Sequence, residues 1–148
     1  RRRFVLTSGP SDRSAASAIA AQARGRLGAG ASVIAHGEFD PAQLRALADR
    51  ASVYIGGDSG PMHIAATTRT PIVGLFGPTL AERSMPWRDP RWFAEALDVQ
   101  GLPCRPCHQR TCVPGDFRCL TRIAAADVVE AAERALASGG RHDSVRPS

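Results

Sequence analysis

Lysine is missing from this chain: all 19 of its basic residues are arginine. Against 14 acidic residues they give a formal charge of +5. The two residue types differ in geometry, since only arginine makes planar bidentate contacts to phosphate and carboxylate. Beside so much alanine, the bias reads as a property of the source genome. The charge is therefore weak support for anionic partners, and by itself none for nucleic acid. Aromatic residues are scarce, at 5%, and no aromatic-studded sheet for base stacking can be traced. Long apolar runs are absent too. No segment approaches the roughly 20 residues that cross a bilayer. The opening RRRFVLTSGPSDR has three arginines in tandem and superficially matches a twin-Arg export signal, but such a signal needs about 7–15 apolar residues after its charges. Here Phe4 to Leu6 gives way at once to a turn. No G-x-G-x-x-G follows the first strand, which argues against a dinucleotide-binding fingerprint, and there is no internal repeat. What remains is 148 residues, 43% hydrophobic and 22% charged, the profile of one soluble globular domain. The chain has no initiator Met, and we expect it to begin inside a longer protein.

Periodicity supplies an α/β reading. Phe4-Val5-Leu6-Thr7 is β-prone and closes at Ser8-Gly9-Pro10. Residues 11–27 follow as a helix with Ala15, Ala18, Ile19 and Ala23 on one face. ASVIAHG (31–37) is a second strand. Asp40 is an N-cap and Pro41 a first helical residue for a helix carrying Leu44, Leu47, Ala48 and Ala51. SVYIGG (52–57) and PIVGLFG (71–77) are the third and fourth strands, separated by a short helix over 61–68. A fifth strand is expected within 96–99. A closing helix over 124–137 buries Val128, Val129, Ala132, Ala135 and Leu136, and residues 138–148 form a flexible tail. Apolar strands that alternate with helices predict a Rossmann-like parallel sheet with helices on both faces. Ligands of such sheets bind beyond the carboxyl ends of the strands. That rim comprises Ser8 to Asp12, His36 to Glu38, Gly57 to Gly60, and Gly77 to Thr79.

GGDSGPMHIAA (56–66) is the stretch that carries chemistry. Its Gly-Asp-Ser-Gly matches the loop around a serine-protease nucleophile. The strand-to-helix elbow of hydrolases, however, requires G-x-S-x-G, and Pro61 stands where the last glycine belongs. A base must also reach the serine; His63 is on the next helical turn, with no acid partner evident in the sequence. An anion site fits better. A helix amino terminus offers unpaired amides and partial positive charge. Small residues at 59 and 60 let a diphosphate approach the backbone, and Ser59 and His63 add side-chain donors. The plainer alternative is that Ser59 only caps the helix while His63 packs.

YIGGDSGPMHIAATTRTPIVGLFGPT (54–79) resembles the signature of glycosyltransferase family 9, the ADP-heptose:lipopolysaccharide heptosyltransferases. LRALADRASVYIGG extends the likeness upstream. Downstream, CRPCHQRTC and CLTRIAAADVVEAA resemble the Cys-bearing loop and final helix of some members. The resemblance implies a two-domain GT-B enzyme, inverting and needing no metal for catalysis, whose carboxyl-terminal half binds the sugar nucleotide. Carried over by position, Ser59, Gly60 and His63 would hold the diphosphate of ADP-heptose, and Asp58 would face the sugar or brace the loop. Asp12 stands where the family often has Glu for a ribose hydroxyl, with an N-cap role as its plain alternative, and Ser8 joins the same rim. The acceptor, a lipid-linked lipopolysaccharide saccharide, and the general base belong to an amino-terminal domain absent from this chain. The chain is therefore expected to bind nucleotide without turning over. The resemblance also implies a cytoplasmic, at most membrane-peripheral, setting.

Cys104, Cys107, Cys112 and Cys119 follow C-x2-C-x4-C-x6-C, all four cysteines of the chain within a loop over 103–120. A four-thiolate structural zinc fits the first gap. Two disulfides are the alternative, disfavoured in the cytosol. The spacing misses both common iron–sulfur patterns. With Arg105, Arg110, Arg118 and Arg122, the cluster also sustains a rival reading as a zinc-containing nucleic-acid-binding module. Low aromatic content speaks against it.

Overall fold

The structure is a computed structural model describing residues 3–28, 33–36, 38–107 and 111–139, with the backbone alone given at 33–36. Gly37 of the expected rim, Arg110 and most of the tail lie outside the described residues. The chain divides into two compact units, residues 1–43 and 44–148.

In the first unit, strand β1 (Phe4–Thr7) pairs parallel with β2 (Val33–His36). Between them a 3-10 turn (Pro10–Asp12) leads into helix α1 (Arg13–Leu27). The predicted apolar face of α1 is wrong at three of its four positions, Ala23 excepted. Ala20 is buried and Ala16 and Ala23 half-buried, whereas Ala15, Ala18 and Ile19 are exposed, Ile19 to 53%. Six alanines leave little amphipathic contrast, and the spacing that wins is i, i+4, i+7 from Ala16. Asp12 occupies the N-cap position, yet its side chain makes no cap hydrogen bond. Its carboxylate accepts instead from the Ser11 hydroxyl at 3.2 Å.

Helix α2 (Pro41–Asp49) starts as its sequence requires. Asp40 Oδ1 accepts from the Gln43 amide at 2.8 Å, and Gln43 Oε1 accepts from the Asp40 amide at 3.1 Å. Two orphan donors are thus satisfied reciprocally.

The second unit is built on three parallel strands in the order β3 (Tyr54–Gly57), β4 (Ile72–Phe76), β5 (Ala94–Asp98). The fifth strand begins and ends slightly earlier than its sequence suggested. Period-2 alternation on central β4 feeds two cores. Ile72 and Phe76 pack with Ala48, Met62 and Ala65, the last two from helix α3 (Gly60–Ala66). Val73, pointing the other way, packs with Ala131 and Ala135 of the closing helix α6 (Ala125–Ala137). Helices therefore cover both faces of the β4 strand, as the unbroken apolar run predicted. On α6, Val128, Ala132 and Leu136 are half-buried and Ala135 fully buried as expected. Val129 is the correction: it is 57% exposed, and Ala131 takes the buried position. The residues Val128, Ala131, Ala132 and Ala135 form one i, i+3, i+4, i+7 stripe, and Val129 falls outside it.

Two short helices, α4 (Ala81–Ser84) and α5 (Arg118–Thr121), complete the unit. A Cβ at Gly77 would meet the Leu120 side chain of α5 at 2.7 Å, so that side chain would have to shift. Among the described residues, no helix is long and apolar enough to cross a membrane.

Candidate functional site

The turn from β3 to α3 holds Asp58, Ser59 and Gly60. Ser59 adopts extended backbone at the N-cap, and Pro61 follows at the second helical position. The Ser59 hydroxyl makes no cap hydrogen bond; it donates to the Gly57 carbonyl at 3.2 Å and is exposed. Ser59 thus holds the N-cap position without capping through its side chain. The Met62 amide donates to the Ser59 carbonyl at 3.0 Å, and Pro61 has no amide proton. The helix end is thus a sparser donor set than the sequence suggested, with the Gly60 amide as its foremost member. A Cβ at Gly60 would meet nothing within 4 Å, so the space over this turn is open.

Asp58 is the hub. Its Oδ2 accepts from the Thr79 hydroxyl at 2.6 Å, which ties the β3–α3 turn to the loop after β4. Its Oδ1 lies 3.7 Å from His63 Nε2, an ion-pair approach when His63 is protonated and too long for a hydrogen bond. The Asp58 side chain is 18% exposed and that of His63 52%. His63 therefore does not pack into the core, and it has the acid partner that the sequence did not reveal. These three residues still do not make a nucleophilic triad, because the Ser59 hydroxyl faces Gly57 and not the imidazole.

Behind Thr79 stands a clamp. The Arg105 guanidinium, 5% exposed, donates to the Thr79 carbonyl at 2.7 Å, the Val99 carbonyl at 2.8 Å and Asp98 Oδ2 at 2.8 Å. The Cys107 amide adds a bond to the Pro78 carbonyl at 3.1 Å. The loop bearing Thr79 is thereby held from two directions. Sequence reasoning assigned Arg105 only to a rival nucleic-acid reading and gave Thr79 no more than a place on the rim. The Phe-Gly-Pro-Thr end of β4 was the one signal for Thr79; nothing local marked Arg105.

Asp58, Ser59, Gly60 and His63 are brought together on this turn. Ser8 and Asp12 belong to the first unit: Ser8 is half-buried just after β1, and Asp12 is exposed. The Asp12 carboxylate is not spent on capping. The strongest charge perturbations lie elsewhere. The Arg91 side chain and amide hold the Asp89 carboxyl down to about 2, and burial lowers Arg88, whose guanidinium donates to the Thr68, Thr70 and Phe93 carbonyls. Both pairs fasten the chain on its way to β5.

Comparison with known proteins gives one consistent result. The family described as glycosyltransferase family 9 (heptosyltransferase) matches residues 2–116. Lipopolysaccharide heptosyltransferase 3 of Escherichia coli is 35% identical over 134 residues, which is 90% of this chain and 37% of that protein. Lipooligosaccharide heptosyltransferase 2 of Campylobacter jejuni is 34% identical over 84 residues, 57% of this chain and 25% of that protein. The crystal structure of a family 9 glycosyl transferase from Veillonella parvula superimposes with a TM-score of 0.67 at 23% identity, covering 93% of this chain and 37% of that one. The fold is shared with that structure. The chain spans between a quarter and two fifths of the length of these relatives.

Proposed function

Since the chain belongs to glycosyltransferase family 9, we propose that it is the part of a heptosyltransferase that binds the nucleotide-diphosphate sugar, ADP-heptose. Transfer is to a lipopolysaccharide-core acceptor with inversion at the sugar carbon and without a catalytic metal. The observation that carries this reading is the Asp58–Thr79–His63 arrangement beside an uncapped Ser59 and an open Gly60.

The chemistry follows from where charge develops. As the bond from sugar carbon to phosphate oxygen breaks, negative charge collects on the departing diphosphate. Donors fixed beforehand at that oxygen stabilise the transition state more than the ground state. Ser59 Oγ, the Gly60 amide and His63 are the donors proposed for it. A bare carboxylate next to a diphosphate would repel it. Asp58 avoids this because one oxygen is engaged by Thr79 and the other faces His63, so a protonated His63 stands with its charge shared between carboxylate and phosphate. Asp58 is thus a positioning residue. Relatives named for lipooligosaccharide and lipopolysaccharide support a membrane-peripheral cytoplasmic setting.

Calorimetry with ADP, UDP and GDP, alone and as sugar conjugates, tests the reading. ADP is expected to bind most tightly. Replacing His63 by Ala removes a charge-assisted hydrogen bond of about 1.5–3 kcal/mol, which corresponds to roughly 10- to 100-fold in affinity. Equal affinity of the native and His63→Ala proteins would remove His63 from the site. Equal binding of all three nucleotides would remove the preference for adenine.

A further inference from the structure

We propose that Cys104, Cys107, Cys112 and Cys119 are the four ligands of a structural zinc ion that holds the loop behind Thr79 in place. Three independent features of this region lead there. First, all four side chains line one cavity of about 410 Å³, which they share with Pro78 and Arg118. Chemistry-bearing residues spread over 16 positions of chain reach a common space that sequence spacing alone does not guarantee.

Second, this stretch has no core of its own. Among the described residues between β5 and α6, no apolar residue is buried, yet the chain there makes turns, a short helix and long-range bonds to the β4 loop. Segments that bury too little apolar surface need a covalent or metal staple to hold one conformation. All four thiols are free in this structure. Third, the backbone is strained toward a thiol. Phe117 takes a left-handed conformation, φ 49° and ψ 35°, which a bulky residue adopts at a cost. In that conformation its amide points at Cys112 Sγ, 3.4 Å away. An amide donor to sulfur is the second-layer support that a metal-bound thiolate calls for.

Zinc is the cation that four thiolates select, with a C-x2-C pair among them and tetrahedral Zn–S distances of about 2.3 Å. Four thiolates around one divalent ion leave a local charge of −2, and Arg118 in the cavity wall offsets part of it. No three His, Cys, Asp or Glu side chains among the described residues yet converge at cation-holding distance. Zinc binding therefore requires the thiols to move together, with release of their protons to solvent. The consequence reaches the donor turn, because the Cys107 amide bonds Pro78 and Arg105 bonds Thr79.

The test is independent of the nucleotide reading. The protein is purified under reducing, chelator-free conditions and analysed for metal, then stripped and titrated with zinc and with cobalt(II). One equivalent per chain is expected, with the visible bands of tetrahedral cobalt thiolate and all four thiols protected from alkylation until a chelator is added. A Cys107→Ser, Cys119→Ser double variant is expected to lose that equivalent. Should it fail to fold, thiol protection in the native protein still decides. Absence of metal both on isolation and after reconstitution would overturn the proposal, as would recovery of the four sulfurs as two disulfides.

Discussion

Replacing Arg105 by Met is expected to destabilise the fold by about 3–5 kcal/mol, the cost of breaking a buried ion pair from one side. The side chain is 5% exposed and its partner Asp98 12%, so solvent does little to screen the loss. Three acceptors lose their donor at once: the carbonyls of Val99 and Thr79 and the Asp98 carboxylate. Asp98 would keep only the Gln100 amide, at 2.7 Å on its other oxygen. Arg105→Lys would recover a fraction, since an ammonium cannot span three divergent acceptors as a planar guanidinium does. Urea denaturation of the three proteins measures the effect. A double variant that also replaces Asp98 by Leu should lose less than Arg105→Met alone, because it leaves no uncompensated charge. A loss below about 1 kcal/mol for Arg105→Met would mean that water reaches this pair and that the clamp is ornamental.

Asp58→Ala is expected to weaken ADP binding by about 10- to 100-fold, an effect of the size of a lost charge-assisted hydrogen bond, and to lower stability as well, because the Thr79 bond is lost from the free protein. The substitution frees the Thr79 hydroxyl and removes the carboxylate that faces His63. Two of the proposed site's parts would then lose their orientation together. Thr79→Val separates the contributions: it keeps the charge of Asp58 and removes only the 2.6 Å hydrogen bond, so a smaller loss in the same direction is predicted. Asp58→Asn keeps an acceptor for Thr79 and loses the charge, and should fall between the two. The measurements are ADP titrations paired with denaturation curves. A change in stability without a change in affinity would make Asp58 a structural brace alone.

Much of this architecture was legible because glycine, proline and capping residues punctuate the chain. Asp40 with Pro41, the apolar run ending at Gly77, and the turn of Asp58 to Gly60 each state their local structure in adjacent residues. Faces of helices were less legible. Helix α1 is so rich in alanine that its sequence hardly distinguishes Ala15 from Ala16, and the neighbouring elements decide which is covered. The contacts that make the site were not legible at all. Thr79 lies 21 residues beyond Asp58, and Arg105 lies 26 beyond Thr79. No periodicity relates positions that meet only because parallel strands bring their carboxyl ends to one edge. The likeness to family 9 pointed to the turn; the partners of that turn required the fold.

The most direct test is an ADP titration followed by amide and imidazole chemical shifts. The backbone amides of Ser59 and Gly60 and the ring of His63 are predicted to move first and furthest, with Thr79 following through Asp58. If saturating ADP leaves those signals in place while others shift, or shifts nothing, the β3–α3 turn is not where this chain holds its nucleotide.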